Sequence, residues 1–344
     1  MTPACTASTL RALAVLAISC LVLIGGLLSV GAVARASSSD GCTGSYGWPV
    51  KPFQRAHPVR ANFGDPRTVF HGPFTPHTVL RGGGTFSFHQ GVDISAPDGS
   101  PVFAVASGRV TRARGQRVTV ECPNGRSFQY WHIEPAVHVG QHAVAGETVL
   151  GSILEKREHV HLTHLERGRV VNPLAPGHLT PYADATSPKV RRIAARRGGQ
   201  EIDVSQPIRG RVVFVAEAID TPALPVPGRW HGFPVTPAGL AWRIEHRNGR
   251  VAVAERVARD VSRTVPKNDR FWRTYARDTY QNWPVFNGRK EQLAPGRYIF
   301  RLGMHPFDTR TLADGAYELV VVAEDTAGNR GEARLSFFVD NGTS

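Results

Sequence analysis

Two short segments hold side chains suited to binding a divalent metal. Phe88-His89-Gln90-Gly91-Val92-Asp93-Ile94 sets an imidazole and a carboxylate four residues apart, and Glu158-His159-Val160-His161-Leu162 sets two imidazoles two apart. Alternate side chains of a strand share a face, so His89 is expected to point the same way as Asp93, and His159 the same way as His161. His164 lies an odd number of steps from both histidines and is expected to point elsewhere. Imidazole nitrogen and carboxylate oxygen are both good zinc ligands, and Gly91 keeps the face between His89 and Asp93 open. Between the two segments, Gln129-Tyr130-Trp131-His132-Ile133 ends an alternating strand on a further histidine. Among 14 histidines, an H-x-H arises by chance about 0.6 times and an H-x-G-x-D only about 0.06 times, so the second pattern is the sharper signal.

The elements that must position these residues read as β-strands. From Ser45 onward short apolar alternations are separated by Gly, Pro, Asn and Asp, with no convincing long helix, which predicts a mainly β chain of antiparallel strands. Val102 to Val110, Arg117 to Cys122 and Ser127 to Ile133 read as successive strands, with Asn124-Gly125 a strong hairpin signal between the last two. The composition shifts at Tyr182 to Gln200, where Pro188 and an arginine-rich run mark a boundary, and a linker is placed near Ala183 to Ser187. Beyond it, Val212 to Ile219, Leu240 to His246, Arg297 to Leu302, Ala316 to Ala323 and Ala333 to Val339 read as strands of a sandwich. Phe271, Trp272, Tyr275, Tyr280 and Trp283 cluster between them on a short inserted helix, either as cover for a sandwich edge or as a glycan-stacking surface.

At 344 residues the chain has room for two cores after a leader is subtracted. Residues 1–36 hold Arg11, an apolar stretch from Ala12 to Val33 and then Ala34-Arg35-Ala36, which reads as a secretory signal peptide. The apolar stretch is also long enough for an uncleaved anchor; under either reading the remainder is secreted or held in the cell envelope, and contact with a membrane is expected only through that leader. The net charge is +13, and removing Arg11 and Arg35 leaves +11. The arginines are scattered and no nucleic-acid motif accompanies them, so anionic wall polymers, and not nucleic acid, are the expected polyanionic partners. Cys42 and Cys122 remain after the leader, as one disulfide or as two separate thiols.

The segments around the histidines together resemble the lysostaphin-type, LytM-like family of zinc metallopeptidases, which are peptidoglycan hydrolases. Ser100 to Val110 resembles the family's G-x-P-V-x-A-x-x-x-G-x-V strand pair, Val139 to Gly151 its V-x-x-G-x-x-V-x-x-G-x-x-I-G turn, Asn172-Pro173 its closing N-P, and Asn62-Phe63-Gly64-Asp65-Pro66-Arg67 its S-x-F-G-x-R segment. The resemblance covers roughly Pro58 to Leu174. It implies a peptidase domain over 45–181, with His89, Asp93 and His161 as the ligands of one Zn2+ and an open position for water. It implies that His132 and His159 flank that water and share between them the roles of proton acceptor and oxyanion partner, in a secreted endopeptidase acting on peptidoglycan peptide stems or cross-bridges. The alternative is a non-catalytic envelope-binding or regulatory protein of the same fold. Two features depart from the family pattern, Lys156-Arg157-Glu158 before H-x-H and Leu162-Thr163 after it, and both bear on specificity first. No H-E-x-x-H is present, so a helical site with a glutamate base is excluded, and Glu158 is given no catalytic role. The stretch Gly315 to Val339 resembles the last two strands of bacterial immunoglobulin-like domains, which implies an Ig-like β-sandwich over 188–342. The segment Phe70 to Phe88 is expected to be a groove wall, with His71 and His77 as surface residues.

Overall fold

The structure, a computed structural model, describes residues 40–70, 84–286 and 290–342. The leader of 1–36 lies outside the described residues, as does most of the groove-wall segment with His71 and His77. Among the described residues thirteen strands precede residue 172: β1 (Val59–Ala61), β2 (Pro66–Phe70), β3 (Gly84–Phe88), β4 (Val92–Ser95), β5 (Pro101–Phe103), β6 (Gly108–Arg114), β7 (Arg117–Glu121), β8 (Arg126–Trp131), β9 (Ile133–Pro135), β10 (His142–Ala143), β11 (Val149–Ile153), β12 (His159–Glu166) and β13 (Arg169–Val171). The main sheet runs β1-β4-β12-β8-β7-β6-β10, with β13 also pairing with β12.

Period-two patterning gives this sheet a dry face and a working face. Val92 and Ile94 of β4, Val160 and Leu162 of β12, Phe128 and Tyr130 of β8 and Val118 and Val120 of β7 are fully buried in one core. Each such side chain stabilises the fold by about 1.5–3 kcal/mol. Asp93, His159 and His161 sit at the alternate positions. A slip of one residue would exchange the faces, so the core that stabilises the sheet also fixes which way Asp93, His159 and His161 point.

The expected run Val102 to Val110 is two strands in two sheets. β5 pairs with β11, and β11 with β9, while β6 belongs to the main sheet. The buried crossing from Ala104 to Ala106 bonds outward, with Ala104 N–H donating to Thr148 O and Val105 N–H to the Tyr130 hydroxyl. The β7–β8 hairpin forms at Asn124-Gly125, where Gly125 has φ +82°. Cys42 and Cys122 form a disulfide.

After residue 188 the chain is again β. Strands Lys189–Arg197, Gln200–Ile202, Arg211–Ile219 and Ile299–Arg301 form one antiparallel sheet, and Gly239–His246, Val251–Asp260, Gly315–Glu324 and Arg330–Val339 another. Both sheets contribute to one apolar core through Phe214, Ala216, Trp242, Ile244, Leu319 and Phe337. Two strands here carry no clear sequence signal. Lys189–Arg197 spends its exposed positions on arginine, and Val251–Asp260 interrupts its alternation with register shifts.

This part of the chain packs directly against the first. Thr236 donates through its N–H and hydroxyl to buried Asp65, Arg259 and the Tyr275 hydroxyl donate to Gly64 O, and Val285 pairs in parallel with Val69 of β2. Among the described residues no helix is long and apolar enough to cross a membrane.

Candidate metal centre

Strand pairing brings the first segment against the second. β4 and β12 are antiparallel with Asp93 directly opposite His161 and Ser95 opposite His159, and β12 pairs on its other edge with β8, His161 opposite Trp131. His89 lies just before β4, its backbone tied both ways to the Gly64–Asp65 turn: His89 N–H donates to Asp65 O, and Gly64 N–H to His89 O. Three atoms thereby converge: His89 Nε2 is 3.1 Å from Asp93 Oδ1 and 2.8 Å from His161 Nδ1, and His161 Nδ1 is 3.0 Å from Asp93 Oδ1. Donors at about 2.05 Å from a tetrahedral zinc stand about 3.3 Å apart, close to these separations.

The polarity of the three atoms fits a cation. His89 Nδ1 lies 2.8 Å from Asn62 O, which can only accept, so Nδ1 carries the proton and Nε2 presents a lone pair to the centre. Burial pushes the His89 imidazole down to about 4, so it is neutral at pH 7. Burial opposes ionisation of Asp93, but His89, His159 and the Arg67 guanidinium hold its carboxyl well below the ordinary value. Arg67 takes Oδ2 at 2.8 Å and leaves Oδ1 to the cluster. His161 Nε2 engages the Thr163 hydroxyl at 2.8 Å. Lone pairs facing one another repel, and a cation placed between them turns that repulsion into coordination. His89, Asp93 and His161 therefore form a group able to hold a metal ion. Gly91 matters for a sharper reason than openness: a Cβ there would sit 2.4 Å from Leu162 O and 2.7 Å from His161 Nε2.

His132 and His159 stand beside this centre. Their ring centroids are 4.6 Å apart, and His132 is 6.4 Å from His161. His132 follows β8 at φ +66°, a conformation uncommon outside glycine, where the chain turns from the main sheet into β9. Its Nδ1 is buried with no hydrogen-bond partner among the described residues. Burial pushes His132 down to about 4 and His159 well below its ordinary value. His159 Nδ1 lies 2.6 Å from Arg157 O and 2.5 Å from Arg60 Nη2, and one nitrogen cannot donate to the first while accepting from the second. His159 Nε2 faces Asp93 Oδ1 at 3.7 Å.

The turn entering β12 is fixed from below. The Asp98 carboxylate accepts backbone N–H bonds from Lys156, Arg157 and Glu158 at 2.6–3.1 Å, with Lys156 and Glu158 both at positive φ. Glu158 faces away from the centre and pairs with Arg229. His164 is on the dry face, fully buried, accepting from Arg126 Nε and contacting the Tyr46 hydroxyl.

All five histidine and aspartate positions of the centre fall within residues 87–173, which match the family model described as Peptidase family M23. These residues form a peptidase family M23 domain. The M23 domain is also similar to part of the DD-carboxypeptidase/endopeptidase Mpg of Neisseria meningitidis, 32% identical over 147 residues, covering 38% of this chain and 33% of that protein. A protein described as an uncharacterized metalloprotease of Haemophilus influenzae is 33% identical over 112 residues, covering 30% of this chain and 24% of its own. The chain thus spans a third or less of the length of these curated relatives. A crystal structure described as a zinc containing peptidase from Vibrio cholerae aligns at 23% identity and a TM-score of 0.29, covering 37% of this chain and 39% of that one.

Several residues of the centre lie outside the M23 match. Arg60 and Arg67 precede it, and Arg229, Trp230, Gln281 and Trp283 follow it, yet all line one cleft of about 410 Å³ with Asp93, His132 and His159. Of these, Arg67 ends the Asn62 to Arg67 segment and Trp283 is a member of the aromatic cluster that the sequence singles out, but neither place gives a sign of the cleft. Phe271 and Tyr275 of that cluster are core residues packed against Phe88.

Proposed function

We propose that this chain is an exported zinc metalloendopeptidase that hydrolyses peptide bonds of bacterial peptidoglycan. The observation that carries the reading is the convergence of His89 Nε2, Asp93 Oδ1 and His161 Nδ1 within 3.1 Å of one another, beside two further neutral imidazoles. His89, Asp93 and His161 hold one Zn2+. When bound, zinc lowers the pKa of a water in the fourth position and polarises the scissile carbonyl. His159 donates Nδ1–H to Arg157 O, which leaves the Nε2 lone pair facing the centre to accept the proton of the attacking water. His132, neutral and poorly solvated, offers an N–H to the oxygen on which charge develops. The Arg67 bond to Asp93 Oδ2 orients the carboxylate and would leave Oδ1 for the metal.

The domain bounds follow the same reading: a peptidase domain over 45–181 and an Ig-like β-sandwich over 188–342, with a leader over 1–36 that delivers both outside the cytoplasm. The leader's composition supports export, and the two facing antiparallel sheets after residue 188 support the sandwich.

Digestion of purified peptidoglycans of different stem and cross-bridge chemistry, followed by mass analysis, tests the proposal. New fragments carrying one added water at a peptide bond are expected, abolished by chelation and restored by zinc. Walls left intact by folded, zinc-loaded protein would replace this reading with that of a non-catalytic envelope protein.

A further inference from the structure

The wall of the cleft opposite the M23 strands is built as a layered stack. The Arg229 guanidinium lies 4.3 Å from the Trp283 ring, Trp283 stacks on Trp230 at 4.8 Å and 17°, and the Arg60 guanidinium lies 4.0 Å from the other side of Trp230. Arg60 also touches His159, so the stack ends on a residue of the centre itself. Stacking pins each guanidinium in a plane without using its N–H edge, which Arg229 presents to the Glu158 carboxylate, the arrangement suited to recognition of a carboxylate.

The charge balance of this wall is positive. Arg60, Arg157 and Arg229 face the cleft together with Lys156. Glu158 lies 3.2 Å from Arg229, whereas Arg60 and Arg157 make no ion pair among the described residues. Burial lowers Arg60 only to about 10, so it stays charged at neutral pH. Arg60 Nε, Trp230 Nε1 and Trp283 Nε1 are buried with no acceptor among the described residues. Buried donors without acceptors are costly, and a ligand rich in oxygen would relieve them.

We infer that Arg229, Trp283, Trp230 and Arg60 form a carboxylate-binding subsite of the cleft, selecting peptides that carry a free carboxylate beside the bond to be cut. Glu158 occupies Arg229 in the free protein and is displaced by the substrate carboxylate. The inference rests on the hydrolase reading for its consequence, but binding itself requires no hydrolysis.

Titration calorimetry on the metal-free full chain tests it, comparing N-acetyl-alanyl-glutamyl-alanine with its fully amidated glutaminyl analogue. The acidic peptide is expected to bind at least about tenfold more tightly. Arg229→Ala, at a half-exposed position, is expected to remove the difference, and Arg229→Lys to restore it in part. Equal binding of the two peptides by the native chain, or a preference that survives Arg229→Ala, would overturn the inference. Zinc-dependent cleavage of wall by a chain that does not distinguish the peptides would leave the hydrolase standing and remove the subsite. Carboxylate preference without cleavage of any wall would do the reverse.

Discussion

His161 and Asp93 are 68 residues apart in sequence, yet their strands pair with these two residues directly opposite and their Nδ1 and Oδ1 atoms 3.0 Å apart. The pairing is held by Val92, Ile94, Val160 and Leu162 on the far face, all fully buried. The candidate metal centre is therefore positioned by the apolar half of the same strands, and substitutions that disturb strand contact act on Asp93 and His161.

Gly91→Ala isolates that coupling. The added Cβ meets Leu162 O at 2.4 Å, a backbone atom that cannot step aside without opening the β4–β12 pair. A destabilisation of about 1–3 kcal/mol, the usual range for overpacking, is expected in thermal melts, together with loss of zinc affinity.

His159→Ala and His132→Ala separate proton handling from metal binding. Neither residue belongs to the convergent trio, so both variants are expected to retain zinc by elemental analysis. Each should lower kcat by about 10²–10⁴-fold. Loss of zinc in either would make that histidine a ligand.

The Cys42–Cys122 disulfide closes 80 residues around the β5–β8 region. Its removal by Cys42→Ser with Cys122→Ser is expected to lower stability by about 2–4 kcal/mol in denaturant titration, with the zinc site still formed in the folded fraction.

Asp220 gives a pH signature well away from the metal. It is buried beside Asp184 and Asp325, and burial raises its carboxyl to about 8. With a folded value above the unfolded value near 3.9, the native state holds the proton longer. Its contribution is intact below about pH 4 and is lost as pH rises towards 8. Asp220→Asn, measured with chelator present, is expected to leave the melting temperature unchanged near pH 4. At pH 8 it should stabilise the protein by on the order of 5 kcal/mol. A constant difference at both pH values would contradict the assignment.

The centre was legible in sequence wherever its pattern was local. His159 with His161, and the opposite facing of His164, follow from the period of strand β12, whereas His89 lies outside β4 and is brought to Asp93 by its backbone bonds to the Gly64–Asp65 turn. The register that sets Asp93 against His161 is a long-range property carried by the shared core. The cleft wall was not legible at all, because Arg60 sits on the three-residue strand β1, too short to show a period, and Arg229 and Trp283 come from segments outside any strand, far away in the chain. Trp283 shared a stretch with Phe271 and Tyr275, which do cover the core, and spacing alone could not divide them. Strand Lys189–Arg197 was hidden because its arginines fill the exposed positions and mask the alternation beneath.

The most direct test is the metal content of the purified full chain, by elemental analysis after zinc loading and removal of excess. About one zinc per chain is expected for the native protein, falling to near zero in His89→Ala and His161→Ala, both still folded by circular dichroism. A folded native chain that takes up no zinc, or keeps it in both variants, would contradict the account.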